Sequence, residues 1–139
     1  MFGVSSMTAP LKKVAVMKPG ASLINADPVK WHYGPLFDPE KVAEVHSNFV
    51  EILKDSGAEV YWMSENGFEI ADSVFTYDAS LMTPEGAILM SPGKLLRKGE
   101  QNIHKSFYEN ENIPIIGNVD SDGIAEAGDT LWLDSQTLI

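Results

Sequence analysis

The sequence predicts an α/β fold assembled from a repeated unit, and two observations carry that prediction. First, one hairpin pattern occurs twice, about fifty residues apart: an acidic residue, an apolar strand, a tight turn and a second apolar strand. The two copies occupy residues 78–90 and 129–139. Second, patterns with apolar residues at helical spacing alternate with the strand patterns. We therefore expect strand-strand-helix-strand modules, with the last copy represented by its hairpin alone.

Composition and charge restrict the classes of function. The chain has 139 residues, of which 44% are hydrophobic, so it is long enough for one globular domain. Its formal charge of −10 repels nucleic acid and anionic membrane surfaces and attracts cations. It contains no cysteine, which excludes a disulfide framework, thiolate metal ligation and a cysteine nucleophile within these residues. No apolar run approaches the ~20 residues of a membrane span, so we expect no membrane partner and a cytoplasmic location.

The first predicted module covers residues 12–64. The preceding residues 1–11 mix Gly, Ser, Thr and Pro without periodicity, and we interpret them as a flexible leader. Residues 13–17 have the pattern of a buried strand. The connection over residues 21–37 is longer than most internal loops, which predicts either a ligand-covering loop or a loop whose aromatic side chains pack on the core.

The clearest helix signal follows that connection. The helix is predicted to begin at Asp38-Pro39, an N-cap residue followed by proline in the first turn, and to end at Ser56 before Gly57. Four apolar residues at helical spacing predict a single stripe that faces a sheet: Val42, Val45, Phe49 and Ile52. A strand over residues 59–63 completes the module.

The second module, residues 72–119, has the complete strand-strand-helix-strand order. Its predicted elements are a strand over 74–77 that continues into Met82, a Pro84-Glu85-Gly86 turn, a strand over 87–90, a helix within 97–110 and a strand over 114–117. Ile103 and Phe107, spaced i and i+4, predict the buried side of that helix. The third module, residues 126–139, has only its hairpin, so we expect self-association at the apolar edge left without a covering helix.

Three segments match one enzyme family in order and spacing. They are Asp72-Ser73-Val74-Phe75-Thr76-Tyr77-Asp78-Ala79, then Ser91-Pro92-Gly93 with Arg97-Lys98-Gly99-Glu100, then Glu126-Ala127-Gly128-Asp129. In these segments the chain resembles the amino-terminal half of the guanidino-group-modifying enzymes, which include dimethylarginine dimethylaminohydrolase, arginine deiminase and the amidinotransferases. The resemblance implies the pentein fold, an α/β-propeller of five such modules. Residues 12–139 would then form an incomplete pentein domain, with about two and a half strand-strand-helix-strand modules of the five.

The resemblance also implies a binding site for a small cationic guanidino compound, arginine or a derivative. A planar guanidinium with paired N–H donors suits carboxylates that face it bidentately. The family's two guanidinium-binding acids correspond to Asp78 and Glu126, which precede equivalent hairpins and are expected to converge on one axis. Arg97 corresponds to an arginine that meets the carboxylate of an amino-acid substrate. Asp129 corresponds to an acid that supports the site or touches the guanidinium.

Two departures from the family pattern bear on the site. Tyr77 stands where many relatives carry an acid or an arginine, which leaves the identity of the guanidino compound open. Ala127 replaces the first glycine of the usual Glu-Gly-Gly-Asp run, which is tolerable where the backbone does not need a positive φ.

The resemblance implies catalysis by a cysteine thiolate and a histidine from the family's carboxy-terminal half. This chain has no cysteine and no histidine after Glu126, so we expect it to be inactive alone and to need a complementary carboxy-terminal half. Hydrolysis and amidino transfer both stay open, and no cofactor or metal is expected. Of the histidines, His46 and His104 are expected at surface or boundary positions, and His32 lies in the long connection, within possible reach of a ligand.

Two other interpretations stay open. In one, the chain is a non-catalytic, acidic, propeller-type module that binds a protein or a cationic ligand, because a fold alone does not establish chemistry. In the other, the motif matches are accidental and the chain is a doubly wound α/β domain with one parallel sheet. The tight-turn hairpins argue against the second interpretation, because parallel strands need crossover connections.

Overall fold

The computed structural model describes residues 2–65, 67–120 and 122–139, which form a mixed α/β fold with small sheets, as predicted. The elements in chain order are β1 (Lys13–Met17), α1 (Ala21–Ile24), α2 (Pro39–Asp55), β2 (Glu59–Met63), β3 (Ser80–Met82), β4 (Ala87–Leu89), α3 (Glu100–Asn110), β5 (Ile115–Asn118), β6 (Trp132–Asp134) and β7 (Thr137–Leu138). The chain divides into two compact units: Leu11–Phe75 is one, and Thr76–Ile139 with the segment up to Pro10 is the other. The flexibility of residues 1–11 and the module boundaries stay predictions.

The unit Leu11–Phe75 is built on a two-stranded parallel sheet. β1 and β2 pair with Lys13 opposite Glu59 and Met17 opposite Met63. Parallel neighbours cannot be joined by a tight turn, and the connection between these strands carries α2. The buried apolar side chains come from both strands and the helix, and they include Val16, Met17, Val50 and Met63. The strand-helix-strand order therefore matches the sequence prediction.

The ends of α2 follow local signals in the sequence. The Asp38 carboxylate accepts a hydrogen bond from the backbone N–H of Glu40 at 3.1 Å, and Pro39 occupies the first turn, where no helical hydrogen bond is lost. After the other end, Gly57 has a φ of +87°, a left-handed conformation that glycine adopts readily. Both predicted ends are confirmed.

The buried side of α2 differs from the predicted stripe. Val45 and Ile52 are 63% and 67% exposed, and Phe49 is exposed as well. The helix instead buries Val50 and partly covers His46. The sequence of α2 contains two rows of apolar residues, offset from each other by about one residue, and both rows have helical spacing. Spacing alone therefore does not show which row packs against the sheet. The stripe prediction was wrong for Val45, Phe49 and Ile52 for that reason, whereas Val42 is half-buried.

The long connection over residues 21–37 contains the short helix α1 and a series of turns. The Tyr33 ring contacts the rings of Trp31 and Phe37. Its hydroxyl donates a 2.6 Å hydrogen bond to the buried Asp72 carboxylate. This arrangement favours the interpretation of a packed loop over that of a ligand-covering loop.

The second unit holds a three-stranded sheet in the order β3-β4-β5. β3 and β4 pair antiparallel across the predicted Pro84-Glu85-Gly86 turn, which the Thr83 N–H closes by donating to the Gly86 carbonyl at 2.8 Å. β4 and β5 pair parallel, and α3 lies in the connection between them. The order of these elements matches the predicted strand-strand-helix-strand order. The antiparallel hairpins exclude the doubly wound interpretation with its single parallel sheet.

Residues 74–77 do not form the predicted strand. The chain makes one helical turn over Ala71–Val74 and enters β3 only at Ser80. The Ser73 hydroxyl donates to the Ile70 carbonyl at 2.7 Å, and the Ser73 N–H donates to the same carbonyl at 3.1 Å. Serine competes in this way with strand pairing by offering the backbone a local partner. The prediction followed the apolar and aromatic residues and missed this local turn.

The carboxy-terminal hairpin forms as predicted. β6 and β7 pair antiparallel, and Leu131 and Ile139 exchange backbone hydrogen bonds of 2.6 and 2.9 Å. The side chains of Leu133 and Ile139 are exposed. An exposed apolar hairpin is an unfavourable arrangement in water, and the expected self-association at this edge stays a prediction.

Candidate functional site

Arg97 lies at the centre of a buried ionic cluster. Its Nε and Nη2 groups donate to the two carboxylate oxygens of Glu100, each at 2.6 Å, so this pair is bidentate. Its Nη1 group donates to Oδ2 of Asp78, also at 2.6 Å. Arg97 is 6% exposed and Glu100 is completely buried. Charge-assisted, bidentate pairs of this kind combine strength with a fixed orientation.

The local sequence explains how these groups meet. Arg97 ends a single helical turn over Leu95–Arg97, and Gly99, with a φ of +97°, redirects the chain into α3. Glu100 is the first residue of α3, where the helix dipole favours a carboxylate. Burial lowers the pKa of the Arg97 guanidinium, but hydrogen bonds to Glu100 and Asp78 outweigh that effect and raise the pKa above its ordinary value. Arg97 therefore stays charged.

Asp78 connects this cluster to the segment that contains Glu126 and Asp129. Its side chain is 25% exposed, and while Oδ2 accepts from Arg97, Oδ1 lies directly against Gly128. A Cβ atom at position 128 would collide with Oδ1. The backbone carbonyl of Asp78 also accepts from the N–H of Ala127 at 3.0 Å. Glycine at 128 therefore makes room for one oxygen of the Asp78 carboxylate.

Glu126 is held beside the Pro-Gly segment of the motif. Its Oε1 atom accepts a 2.8 Å hydrogen bond from the backbone N–H of Gly93. Ser91 and Ala125 form an antiparallel bridge with two backbone hydrogen bonds of 3.0 Å. Glu126 is half-buried and stands at the start of the helical turn over Ala127–Asp129. The Gly93 N–H thus orients the Glu126 side chain, and the Ser91–Ala125 bridge holds the backbone just before it.

Asp129 lies at the end of that helical turn and is exposed. The four residues singled out in the sequence therefore have different environments. Asp78 and Arg97 are in direct contact, Glu126 and Asp129 flank the backbone that meets Asp78, and only Arg97 is buried. The structure leaves the predicted ligand contacts of these residues as predictions.

A second buried polar group adjoins the cluster, and sequence reasoning missed it. The Ser80 hydroxyl forms hydrogen bonds with Nδ1 of His104, at 2.8 Å, and with the Tyr108 hydroxyl, at 2.6 Å. His104 is 1% exposed, so its expected place at the surface or boundary was wrong. Burial, followed by the charge of Arg97, lowers the pKa of His104 to about 4, against a smaller opposing effect of Asp78. A usable signal was its place between the apolar residues Ile103 and Phe107 on α3.

The described part of the candidate site is acidic and offers few reactive groups. The chain has no cysteine, and His104 is enclosed within the fold. Within residues 2–65, 67–120 and 122–139, no group of three His, Asp or Glu side chains is arranged to hold a metal ion. In the same ranges, no helix is long and apolar enough to cross a membrane.

The fold is similar to that of solved guanidino-group-modifying enzymes. An adduct of dimethylarginine dimethylaminohydrolase with 4-chloro-2-hydroxymethylpyridine matches with a TM-score of 0.67 and 26% identity, over 86% of this chain and 45% of the enzyme. A cysteine-to-serine variant of the Pseudomonas aeruginosa enzyme, complexed with citrulline, matches with a TM-score of 0.69 and 24% identity, over 86% and 46%. A cysteine-to-alanine variant of AgrE with L-arginine gives 0.69 and 20%, over 88% and 18%.

These neighbours confirm the resemblance that the sequence motifs predicted. The chain spans about half the length of the dimethylarginine dimethylaminohydrolase chains that it matches, and about a fifth of the AgrE chain. No family model matches the sequence, and no curated protein sequence matches it. The similarity to these enzymes is therefore one of fold, together with the three short motifs.

Proposed function

We propose that this chain is the amino-terminal portion of a guanidino-modifying hydrolase or amidinotransferase and that it contributes side chains that bind the guanidinium. One observation carries the proposal. Asp78, on a fold shared with dimethylarginine dimethylaminohydrolase, is held by Arg97 so that its second oxygen lies at the Glu126–Asp129 segment. A fixed carboxylate and a segment with a second acid, which together suit a guanidinium, are thus supplied by separate parts of the chain.

The partial propeller is part of this proposal. The hairpins β3-β4 and β6-β7 are both antiparallel, and each is preceded by an acidic segment, at Asp78 and at Glu126–Asp129. The first of them continues through α3 into a parallel strand, which gives one full strand-strand-helix-strand unit. These features support modules over residues 12–64, 72–119 and 126–139, two and a half of the five that a pentein contains.

The proposed ligand is a small guanidino compound, arginine or a derivative. The net charge of −10 favours a cation, and Asp78, Glu126 and Asp129 are all acidic. The solved neighbours include an enzyme with bound citrulline and another with bound L-arginine. The L-arginine complex supports a guanidino ligand, and citrulline differs from arginine by a neutral ureido group in place of the guanidinium. In this proposal Asp78 and Glu126 bind the guanidinium and Asp129 supports them.

Catalysis in the proposed complete enzyme depends on groups outside this sequence. The 139 residues contain no cysteine, so a thiolate nucleophile would have to come from a complementary carboxy-terminal half. The chain alone is then a binding component without turnover. Pairing with that half, or with a second copy of the chain, would also cover the exposed apolar residues of β6 and β7.

A ligand titration tests the proposal. Arginine, methylated arginine and agmatine are titrated into the chain and into Asp78→Asn, with Kd read from chemical-shift changes. Loss of a charged hydrogen-bond acceptor should weaken binding about 10- to 100-fold. Glu109→Gln is the matched control, because it removes the same charge from a side chain that is 60% exposed on α3. Equal affinities of the parent and Asp78→Asn would exclude Asp78 as a guanidinium ligand.

A further inference from the structure

We infer that Arg97 acts as a positioning residue that fixes Asp78, and that it does not itself contact the carboxylate of an amino-acid ligand. The inference rests on the proposed guanidinium site and replaces the role that the family resemblance implies for Arg97. Three features carry it: the hydrogen bonds of the guanidinium, the burial of Glu100 and the space left at Gly128.

The Arg97 guanidinium is engaged by protein carboxylates on all three of its nitrogen atoms. Nε and Nη2 donate to Glu100, and Nη1 donates to Asp78, each at 2.6 Å. The residue is 6% exposed, so a ligand would meet little of its surface. A guanidinium in this arrangement is oriented by the fold before any ligand arrives.

Glu100 fixes Arg97 in place. Its carboxylate is completely buried and receives two charged hydrogen bonds from Arg97. Moving Arg97 toward a ligand would leave a negative charge in the interior without its cation, which is a strongly unfavourable change. The same argument does not hold for Asp78, whose side chain is 25% exposed and can be hydrated. Glu100 is therefore the anchor, and Asp78 is the group that is positioned.

The hydrogen bond from Arg97 determines the direction in which the Asp78 carboxylate points. With Oδ2 bound to Arg97, Oδ1 is the oxygen that lies against Gly128, where a side chain would collide with it. Asp78 would then offer Oδ1 to a guanidinium and keep Oδ2 on Arg97. Glu126, which starts the same segment, would supply the second acidic contact.

The sequence makes a direct test possible, because Arg97 is the only arginine in the chain. An ¹H–¹⁵N spectrum of the arginine Nε–H group therefore contains a single protein signal, which Arg97→Lys would remove. Saturating with agmatine, which lacks the carboxylate of arginine, or with unlabelled arginine should shift this signal to the same position. A shift that arginine produces and agmatine does not would show contact with the ligand carboxylate and would overturn the inference.

Affinities provide the second test. In each of two variants, Arg97→Lys and the double variant Arg97→Gln with Glu100→Gln, the Kd for arginine and the Kd for agmatine should rise by the same factor as each other. That factor should be about ten-fold in the double variant. The double variant removes both buried charges together, so it does not leave Glu100 uncompensated. Arg97→Lys keeps one cation for Asp78 and should lose less affinity than the double variant.

The outcomes separate the inference from the function on which it rests. A loss confined to arginine, with agmatine binding unchanged, would overturn the positioning role and leave the guanidinium site intact. A parent chain that binds neither compound would overturn both. Circular dichroism and thermal unfolding of each variant confirm that affinities are compared between folded proteins.

Discussion

Replacing His104 by asparagine should flatten the pH dependence of this protein's stability between about pH 6.5 and pH 4. His104 is 1% exposed, and its Nδ1 atom is hydrogen-bonded to the Ser80 hydroxyl at 2.8 Å. Burial, together with the positive charge of Arg97, lowers the pKa of the imidazole to about 4. Asparagine keeps a polar atom close to the position of Nδ1 but has no proton to gain in this range.

The sign and magnitude follow from proton linkage. Between pH 6.5 and pH 4 the unfolded chain binds a proton on His104 that the folded chain does not, so the free energy of unfolding falls as the pH falls. At about 1.4 kcal/mol per pH unit, a pKa lowered from 6.5 to about 4 corresponds to about 3 kcal/mol. The contribution of neutral His104 is fully present above pH 6.5 and is lost toward pH 4.

Urea unfolding followed by far-ultraviolet circular dichroism at pH 7, 6, 5 and 4 measures this effect. His32→Asn is the matched control, because His32 is exposed and its φ of +61° is one that asparagine tolerates. The parent and His32→Asn should lose stability together as the pH falls, and His104→Asn should lose about 3 kcal/mol less. Parallel curves for all three proteins would refute the assignment of a buried, neutral His104.

Four further substitutions, of which one is a control, test the packing, a tight turn and the candidate site. Ile103→Ala empties a completely buried position on α3 and should cost about 2–5 kcal/mol in urea unfolding, whereas Ile52→Ala, at an exposed position on α2, should change the unfolding free energy by less than about 0.5 kcal/mol. Gly86→Ala places a Cβ atom against the Pro114 carbonyl at a φ of +154°, and the thermal midpoint should fall by several degrees, about 1–3 kcal/mol of lost stability. Gly128→Ala should displace the adjacent carboxylate of Asp78, so the Kd for arginine should rise in a chemical-shift titration while the thermal midpoint changes little.

Local signals in the sequence were sufficient to predict those helix ends and turns that are determined by residues close to them in the chain. The Asp38-Pro39 start of α2 and the Pro84-Glu85-Gly86 turn are each determined by a capping or turn residue. The same holds for the carboxy-terminal hairpin, where the Asp134 carboxylate accepts from the Gln136 N–H at 2.8 Å. Such interactions form within a few residues, so the order of residues encodes them directly.

The predictions that failed depend on which surfaces meet in three dimensions. The sequence offers α2 two apolar rows, and only packing against β2 selects the row with Val50. His104 is a polar residue on an amphipathic helix, and its burial depends on Ser80 and Tyr108, which supply its hydrogen-bonding environment. The apolar neighbours of His104 on α3 indicate burial, but they do not identify its partner Ser80, which lies 24 residues away on a strand.

The candidate site was predicted in part. The repeat drew attention to Asp78 and to the Glu126–Asp129 segment, and the structure joins them through the Ala127 N–H and Gly128. The charge of Arg97 and its place in the motif indicate a role in the site, whereas the motif gives no role to Glu100. The i, i+3 spacing of Arg97 and Glu100 was the available signal, since residues three apart at the start of a helix are close enough to pair.

The cluster of Arg97, Asp78 and Glu100 also explains how the protein stays folded when no cation is bound near its acidic side chains. Arg97 carries one positive charge between the two negative charges of Asp78 and Glu100, so one negative charge is left uncompensated. Glu100 is buried and keeps both of its bonds to Arg97, so the excess charge resides on Asp78, which is exposed enough for water to stabilise it. A guanidinium that replaces this water would bring the cluster to neutrality at Asp78, the more exposed of the two acids that Arg97 contacts. The buried anchor, Glu100, and the more accessible acid, Asp78, are therefore different residues. Arg97 contacts both, so the position of Glu100 in the core determines the orientation of Asp78 at the candidate site.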